Sequence, residues 1–260
     1  MPIEPFPIAP ITDDMILQDE PMGSKDKCWC QLTTELGGGR WLFKQPRQQP
    51  ENIEHLAEKI AYELARLIQL PCARVELAQF GVVRGSISLD VRNPGEVLVH
   101  GNEIIAGHVL GYDLHQKRHT SDHTFERIRK GILEVCTGRC KEDLNQFAGY
   151  LAFDALIANT DRRLLLLREN RIPDYVRKGW GAVYLEALGE SKISPIDLVI
   201  RLAPKMPESF GSWLKRIGNV TNEDVYSIVE QVPAGWMSSA QREFAVALIC
   251  HSRDQLKALS

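Results

Sequence analysis

The hydrophobic period of this chain changes once, and that change limits the folds open to it. Over about the first 95 residues, apolar side chains alternate in short runs around one helical segment; beyond them, the apolar runs repeat mostly at helical spacing. KCWCQLTTE alternates, Gly37-Gly38-Gly39 supplies a turn and RWLFK returns, so residues 27–45 read as a hairpin. Pro50-Glu51-Asn52 opens a helix that Pro71 closes, with Leu56, Ile60, Leu64 and Ile68 on one face. ARVELAQF and VVRGSISLDV give two more strands, turned near Gly81. The order is β-β-α-β-β. Helical segments follow at 123–137, 141–159, near 195–203 and 222–230, and at 237–258. Residues 1–22, with Pro2, Pro5, Pro7 and Pro10, read as an extended lead-in. Strands first and helices after predict an α+β chain of two lobes, with a ligand cleft between them.

Composition narrows the function. With 31 Lys+Arg against 34 Asp+Glu, the 260-residue chain carries a net charge of −3, and 44% of it is hydrophobic. That balance excludes wholesale disorder, collagen and coiled coil, and argues against a dedicated nucleic-acid binder, which shows a basic excess. No apolar run reaches the roughly 18 residues of a membrane span. The start lacks a basic region followed by an apolar one, so a cytoplasmic protein is expected, with no membrane association. In a reducing compartment, Cys28, Cys30, Cys72, Cys136, Cys140 and Cys250 read as free thiols. Neither Cys28-x-Cys30 nor Cys136-x3-Cys140 has the spacing of a zinc knuckle. His115, His119 and His123 recur every four residues, but in a polar stretch that reads as a loop.

Three segments carry chemistry. Gly23-Ser24-Lys25-Asp26-Lys27 offers backbone N–H groups and lysines to a phosphate, although Gly-Ser-Lys is also a routine turn. Lys44 ends an apolar strand and needs a carboxylate partner if it faces inward. Glu58 on the following helix is one, with Glu51, Glu54 and Glu63 as competitors. Asn159-Thr160-Asp161 follows the most apolar helix, where a carboxylate suits a base or orienting group for a hydroxyl. The plain alternative is a helix end capped by Asn159 in the left-handed conformation.

Together these segments resemble the HipA-like Ser/Thr kinases, whose fold is related to protein and phosphatidylinositol kinases; the resemblance covers most of residues 20–216. GSKDKCW resembles the nucleotide loop of that family, assigning Gly23, Ser24 and Lys25 to ATP. WLFK resembles its ATP-contacting strand, giving Lys44 the phosphate lysine, and Glu58 stands where the family places its helix glutamate. FAGYLAFDALIANTDR resembles the helix running into its catalytic loop, which makes Asp161 the catalytic aspartate. LVHGNEII, GYD, DYVRKGWGAVY and ISPIDLV are similar to elements of a subgroup. The resemblance implies a two-lobed kinase-like fold, with a β-rich lobe over 23–105 and a helical lobe over 106–260. It implies ATP and Mg2+ as cofactors and a protein substrate or an antitoxin-like partner.

The pattern then breaks. The family loop continues Asp-x-His-x-x-Asn, and here Arg163 and Leu166 occupy the last two defined positions. Leucine offers no oxygen to a hard cation. Only 12 residues separate Asp161 from Asp174, at most roughly 40–45 Å of extended chain. That is too short for a strand pair, a metal aspartate and an activation segment, so the helical lobe reads as internally truncated and no metal ligand is assigned. A phosphotransferase with an impaired site, an inactive pseudokinase that works by contact, and a decayed remnant all remain open.

Overall fold

The computed structural model describes residues 3–19, 27–46, 52–112, 123–136, 138–159, 172–173, 176, 183–185 and 193–260. The chain divides into two compact units, Met1–Glu96 with Glu223–Arg242, and Val97–Asn222 with Glu243–Ser260.

The first unit is built on a six-stranded sheet in the order β1-β5-β6-β4-β3-β2. The strands are β1 (Ile8–Ile11), β2 (Ile16–Asp19), β3 (Lys27–Gln31), β4 (Arg40–Lys44), β5 (Val75–Phe80) and β6 (Val83–Leu89). β1 runs parallel to β5, and every other pair is antiparallel. The lead-in expected at 1–22 therefore supplies both edge strands. Five strand spacings of about 4.8 Å put the edges of a flat sheet some 24 Å apart. The Cα atoms of Ile11 and Ile16 are five residues apart in sequence, a reach of at most about 18 Å. The sheet must curl. Its inner face is the buried cluster of Ile11, Cys30, Leu32, Trp41, Phe43, Ala78 and Ile87, to which Ile16 of β2 adds.

Helix α1 (Glu54–Leu67) packs on β5 and β6. Its apolar stripe, Leu56, Ile60 and Leu64, is buried as the spacing required, and so is Ile68 beyond its end. Each such side chain contributes about 1.5–3 kcal/mol by leaving water. Later in the chain, α7 (Asn222–Glu230) from Glu223 onward and residues 231–242 belong to this unit. The Phe6 N–H donates to Gln231 O over 2.7 Å, and Arg242 donates to the carbonyls of Val229 and Val232, both at 2.7 Å.

The second unit is helical. It holds α2 (Gly101–His108), α3 (Phe125–Val135), α4 (Cys140–Leu156), α5 (Pro195–Leu202) and α6 (Pro207–Gly218). α8 (Ser239–Lys257) starts in the first unit and continues into this one. The α+β class and the order of strands before helices match the expectation. α2 and α6 were not expected. Gly107 and Gly211 lie inside them and weaken the local helix signal, so tertiary packing decides. α4 is the centre of this unit, contacting α5 and α6. Its Gly149 meets the Trp213 indole so closely that a Cβ there would lie 2.6 Å from the ring. The Trp213 Nε1–H donates to Asn145 O over 2.7 Å, locking α6 against α4.

One expectation is overturned. Cys136 and Cys140 are not free thiols but a disulfide, with Cα atoms 5.2 Å apart. Cys136 caps α3 and Cys140 opens α4, and the turn between them, with Gly138 at φ +80°, brings the two within bridging range. Cys28, Cys30, Cys72 and Cys250 are in no disulfide. Burial, aided by Cys28 beside it, pushes the Cys30 thiol up to about 12, so it stays protonated and inert. Among the described residues, no helix is long and apolar enough to cross a membrane, and no group of three His, Cys, Asp or Glu could hold a metal ion.

Two glycine-to-alanine changes test the packing of α4 on α6. Gly149→Ala is expected to lower stability by about 1–3 kcal/mol, because the ring must move. Gly211→Ala, where an added Cβ meets nothing within 4 Å, is expected to raise it by about 0.5–1 kcal/mol. Urea unfolding of the two variants reads both signs.

Candidate functional site

Strand alternation places Lys44. Trp41 and Phe43 turn into the curl, where both are almost fully buried, so Leu42 and Lys44 point to the opposite face. That is the face covered by α1. In the ladder, Lys44 stands opposite Ser86 on β6, and Ser86 opposite Leu77 on β5. On the other side Lys44 stands opposite Lys27 on β3. Directly opposed residues share a face with Cβ atoms about 4.5–5.5 Å apart. Two lysines therefore stand side by side at the open end of a row whose inner members, Ser86 and Leu77, are fully buried.

α1 brings the counter-charge. Glu58 Oε2 lies 3.4 Å from the Lys44 ammonium and accepts a 2.7 Å hydrogen bond from the Ser86 hydroxyl. The side chains of Lys44 and Glu58 keep 24% and 28% of their exposure, so the pair is shielded but still reachable by a ligand. Of the competing carboxylates, Glu63 is held instead by Lys59 at 2.7 Å and Arg66 at 2.9 Å. Glu51 lies outside the described residues. So the structure joins Lys44 to Glu58, and Ser86 is a member of the set that the sequence did not single out. Its signal was there: β6 carries two serines, Ser86 and Ser88, at alternate positions of an otherwise apolar run.

Gly85, beside Ser86, makes the close strand approach possible. A Cβ at this position would lie 2.5 Å from the Lys44 carbonyl oxygen and 2.7 Å from the Phe43 ring. Only glycine lets β6 lie that near to the Lys44 backbone with Phe43 folded over it. Where β4 ends, Gln45 borders a cleft of about 670 Å³ within the first unit, also lined by Asn52, His55, Arg84, Trp236 and Gln241. His55 is buried against Trp236, with ring centroids 5.7 Å apart. The Arg84 guanidinium lies 4.9 Å over the same indole and donates to Gly235 O over 2.7 Å.

Gly23, Ser24, Lys25 and Asp161 lie outside the described residues, as do Leu166, His115 and His119. The chain is described up to Asn159. Here the capping expectation needs one change: the left-handed residue is Ala158, at φ 48°, and not Asn159. The Asn159 N–H closes the helix end on Asp154 O over 2.8 Å, and its amide donates to the Asp154 carboxylate over 2.8 Å. Burial pushes the Asp154 carboxyl above its ordinary value, and the Asn159 amide offsets part of that.

No protein-family model matches the chain, and no curated protein matches it. Solved structures do. The crystal structure of the Helicobacter pylori proinflammatory kinase CtkA matches with a TM-score of 0.72 at 12% identity, over 97% of this chain and 96% of that one. HipA of Shewanella oneidensis MR-1, in a toxin–antitoxin complex with HipB and operator DNA, matches with a TM-score of 0.44 at 12% identity, over 96% of this chain and 65% of that one. The likeness to CtkA shows a kinase-like α+β fold, with strand-rich and helical parts. That is the fold which the motifs led us to expect.

Asp154 gives a pH prediction. A raised folded-state pKa means that ionisation opposes folding above the ordinary aspartate value of 3.8. Asp154→Asn is therefore expected to be more stable than the wild type at pH 7. The advantage should vanish as the pH falls through 3.8, where the carboxyl is neutral both folded and unfolded. Thermal unfolding of both proteins from pH 3 to pH 8 checks this.

Proposed function

We propose that this chain descends from ATP-dependent Ser/Thr protein kinases of HipA type and keeps their nucleotide-phosphate lysine. One observation carries the reading: Lys44 Nζ lies 3.4 Å from Glu58 Oε2, strand to helix, in a chain with a kinase-like fold. A strand lysine oriented by a helix glutamate is how such folds aim an ammonium at phosphates. Lys44 would hold phosphate oxygens, with Glu58 and, through it, Ser86 keeping the ammonium in place. Lys27, opposite Lys44, adds a second cation. Gly23, Ser24 and Lys25 would supply backbone N–H groups and charge. Asp161 would orient or deprotonate the acceptor hydroxyl of a protein substrate. ATP supplies the transferred phosphoryl group when bound.

Magnesium fits less well. The position that family members fill with a metal-binding Asn is Leu166 here, with no oxygen to offer. Losing one electrostatic stabiliser alone costs about 10²–10³ in rate. That sequence fact favours a second reading, a pseudokinase that keeps the phosphate lysine and acts by contact, with an antitoxin-like protein as the partner class. Transfer in this chain is impaired in the first reading and absent in the second.

Thermal unfolding of the purified chain with ATP, with and without magnesium, separates them. A ligand that binds only the folded state raises the melting temperature. A magnesium-dependent rise, with phosphate transfer that Asp161→Ala abolishes while folding stays intact, is expected for the impaired kinase. A rise indifferent to magnesium, with no transfer, is the pseudokinase outcome. No rise at saturating ATP would overturn both.

A further inference from the structure

Lys59 follows Glu58 on α1 and is the one buried lysine among the described residues, 3% exposed. A buried ammonium has three N–H donors and must satisfy all of them. Lys59 does: Glu76 Oε2 accepts at 2.6 Å, Glu63 Oε1 at 2.7 Å and Val75 O at 3.1 Å. The rings of Phe6 and Tyr62 flank it, at 4.8 and 5.0 Å from the nitrogen. Each carboxylate is held on its other oxygen by an exterior arginine, Arg74 on Glu76 and Arg66 on Glu63, both at 2.9 Å. This is a closed network that ties the middle of α1 to the start of β5.

Such a network is a poor way to gain stability. Well-packed apolar residues of similar volume often serve as well or better. What it supplies is direction. The apolar stripe of α1 holds the helix to the sheet but resists rotation weakly, because apolar contacts have no preferred angle. Glu58 and Lys59 are adjacent, about 100° apart around a helix of 3.6 residues per turn. Lys59 is bonded to β5, while Glu58 is bonded to β6 through Ser86 and to β4 through Lys44. Two opposite charges side by side, anchored to different strands, fix the roll of the helix.

We propose that Lys59 is a positioning residue for the phosphate lysine: its bonds to Glu76 and the Val75 carbonyl on β5 set the rotation of α1 that delivers Glu58 to Lys44. The proposal rests on the reading of Lys44 given above. Its test is made without nucleotide, so the two can fail separately.

The readout is the rate at which an N-hydroxysuccinimidyl ester acylates Lys44 in the full chain, followed by peptide mass spectrometry. Holding the ammonium on Glu58 slows acylation, and Glu58→Gln removes that protection. Lys59→Met keeps a long side chain without charge, and is expected to raise the Lys44 rate about two- to fivefold, as Glu58→Gln does. The double variant Lys59→Met, Glu58→Gln should show no further rise, since both act through one contact. Glu76→Gln, which keeps its shape and loses one partner of the clamp, is the second route to the same answer if Lys59→Met does not fold. Its expected rise is smaller and in the same direction. A Lys44 rate unchanged from wild type in a folded Lys59→Met or Glu76→Gln protein, or rises that simply multiply in the double variant, would overturn the proposal and leave Lys59 a structural ion pair.

Discussion

Ile11 and Ile16 lie on strands at opposite edges of a six-stranded sheet, yet only four residues separate them. That short link is the constraint from which the first unit follows. It forces the sheet to curl, and the curl gives the sheet an inside. Trp41, Phe43, Ile87 and Ala78 fill that inside. Because side chains alternate along a strand, filling the inside with Trp41 and Phe43 sends Lys44 to the other face, under α1. The position of Lys44 is thus a by-product of hydrophobic packing one residue away. Gly85 shows how tight the arrangement is, since the Phe43 ring occupies the volume that a methyl group there would need.

The polar groups around Lys44 contribute specificity more than stability. A partly exposed pair such as Lys44 with Glu58 is worth about 0–1 kcal/mol, against about 1.5–3 kcal/mol for each apolar residue of the α1 stripe. The fold survives on the stripe, and the ions decide which way the helix faces. Ser86 fits the same account: fully buried, it has a hydroxyl that needs an acceptor, and the Glu58 carboxylate is the acceptor within reach. One carboxylate serves an internal hydroxyl and a half-exposed ammonium at once. Its orientation is therefore set from the core side before any ligand approaches.

Much of this was legible in the chain. α1 announced itself through a four-residue apolar repeat and flanking prolines, and the β3–β4 and β5–β6 hairpins through alternation and glycine turns. Without the family resemblance the choice of Glu58 over Glu63 was not, because it depends on Lys59 taking Glu63 away. β1 was hidden because its partner β5 lies more than 60 residues later and pairs in parallel, which leaves no local turn signal, and Pro10 sits inside it. α6 carried a readable stripe, Phe210, Trp213, Leu214 and Ile217, all buried, but Gly211 inside it weakened the helix signal. The disulfide was missed because the compartment was inferred first and the cysteines were read through it. Cys136 and Cys140 look like one helix face, whereas they sit on two helices joined by a turn at Gly138. The glycine loop and Asp161 rest on motif resemblance alone.

The return of residues 223–242 to the first unit has a consequence for how the protein is made. A ribosome delivers the strands and α1 by residue 96, but the segment that completes this unit ends at residue 242, which is 242 − 96 = 146 residues later. At about 5–20 residues per second, that is a wait of roughly 7–30 seconds. During the wait, Phe6 lacks its Gln231 acceptor and His55 lacks the indole that covers it. The second unit is interleaved in the same way, since Glu243–Ser260 must arrive after the detour. Neither unit is a contiguous piece of chain, so neither is complete until the residues beyond 222 have been made.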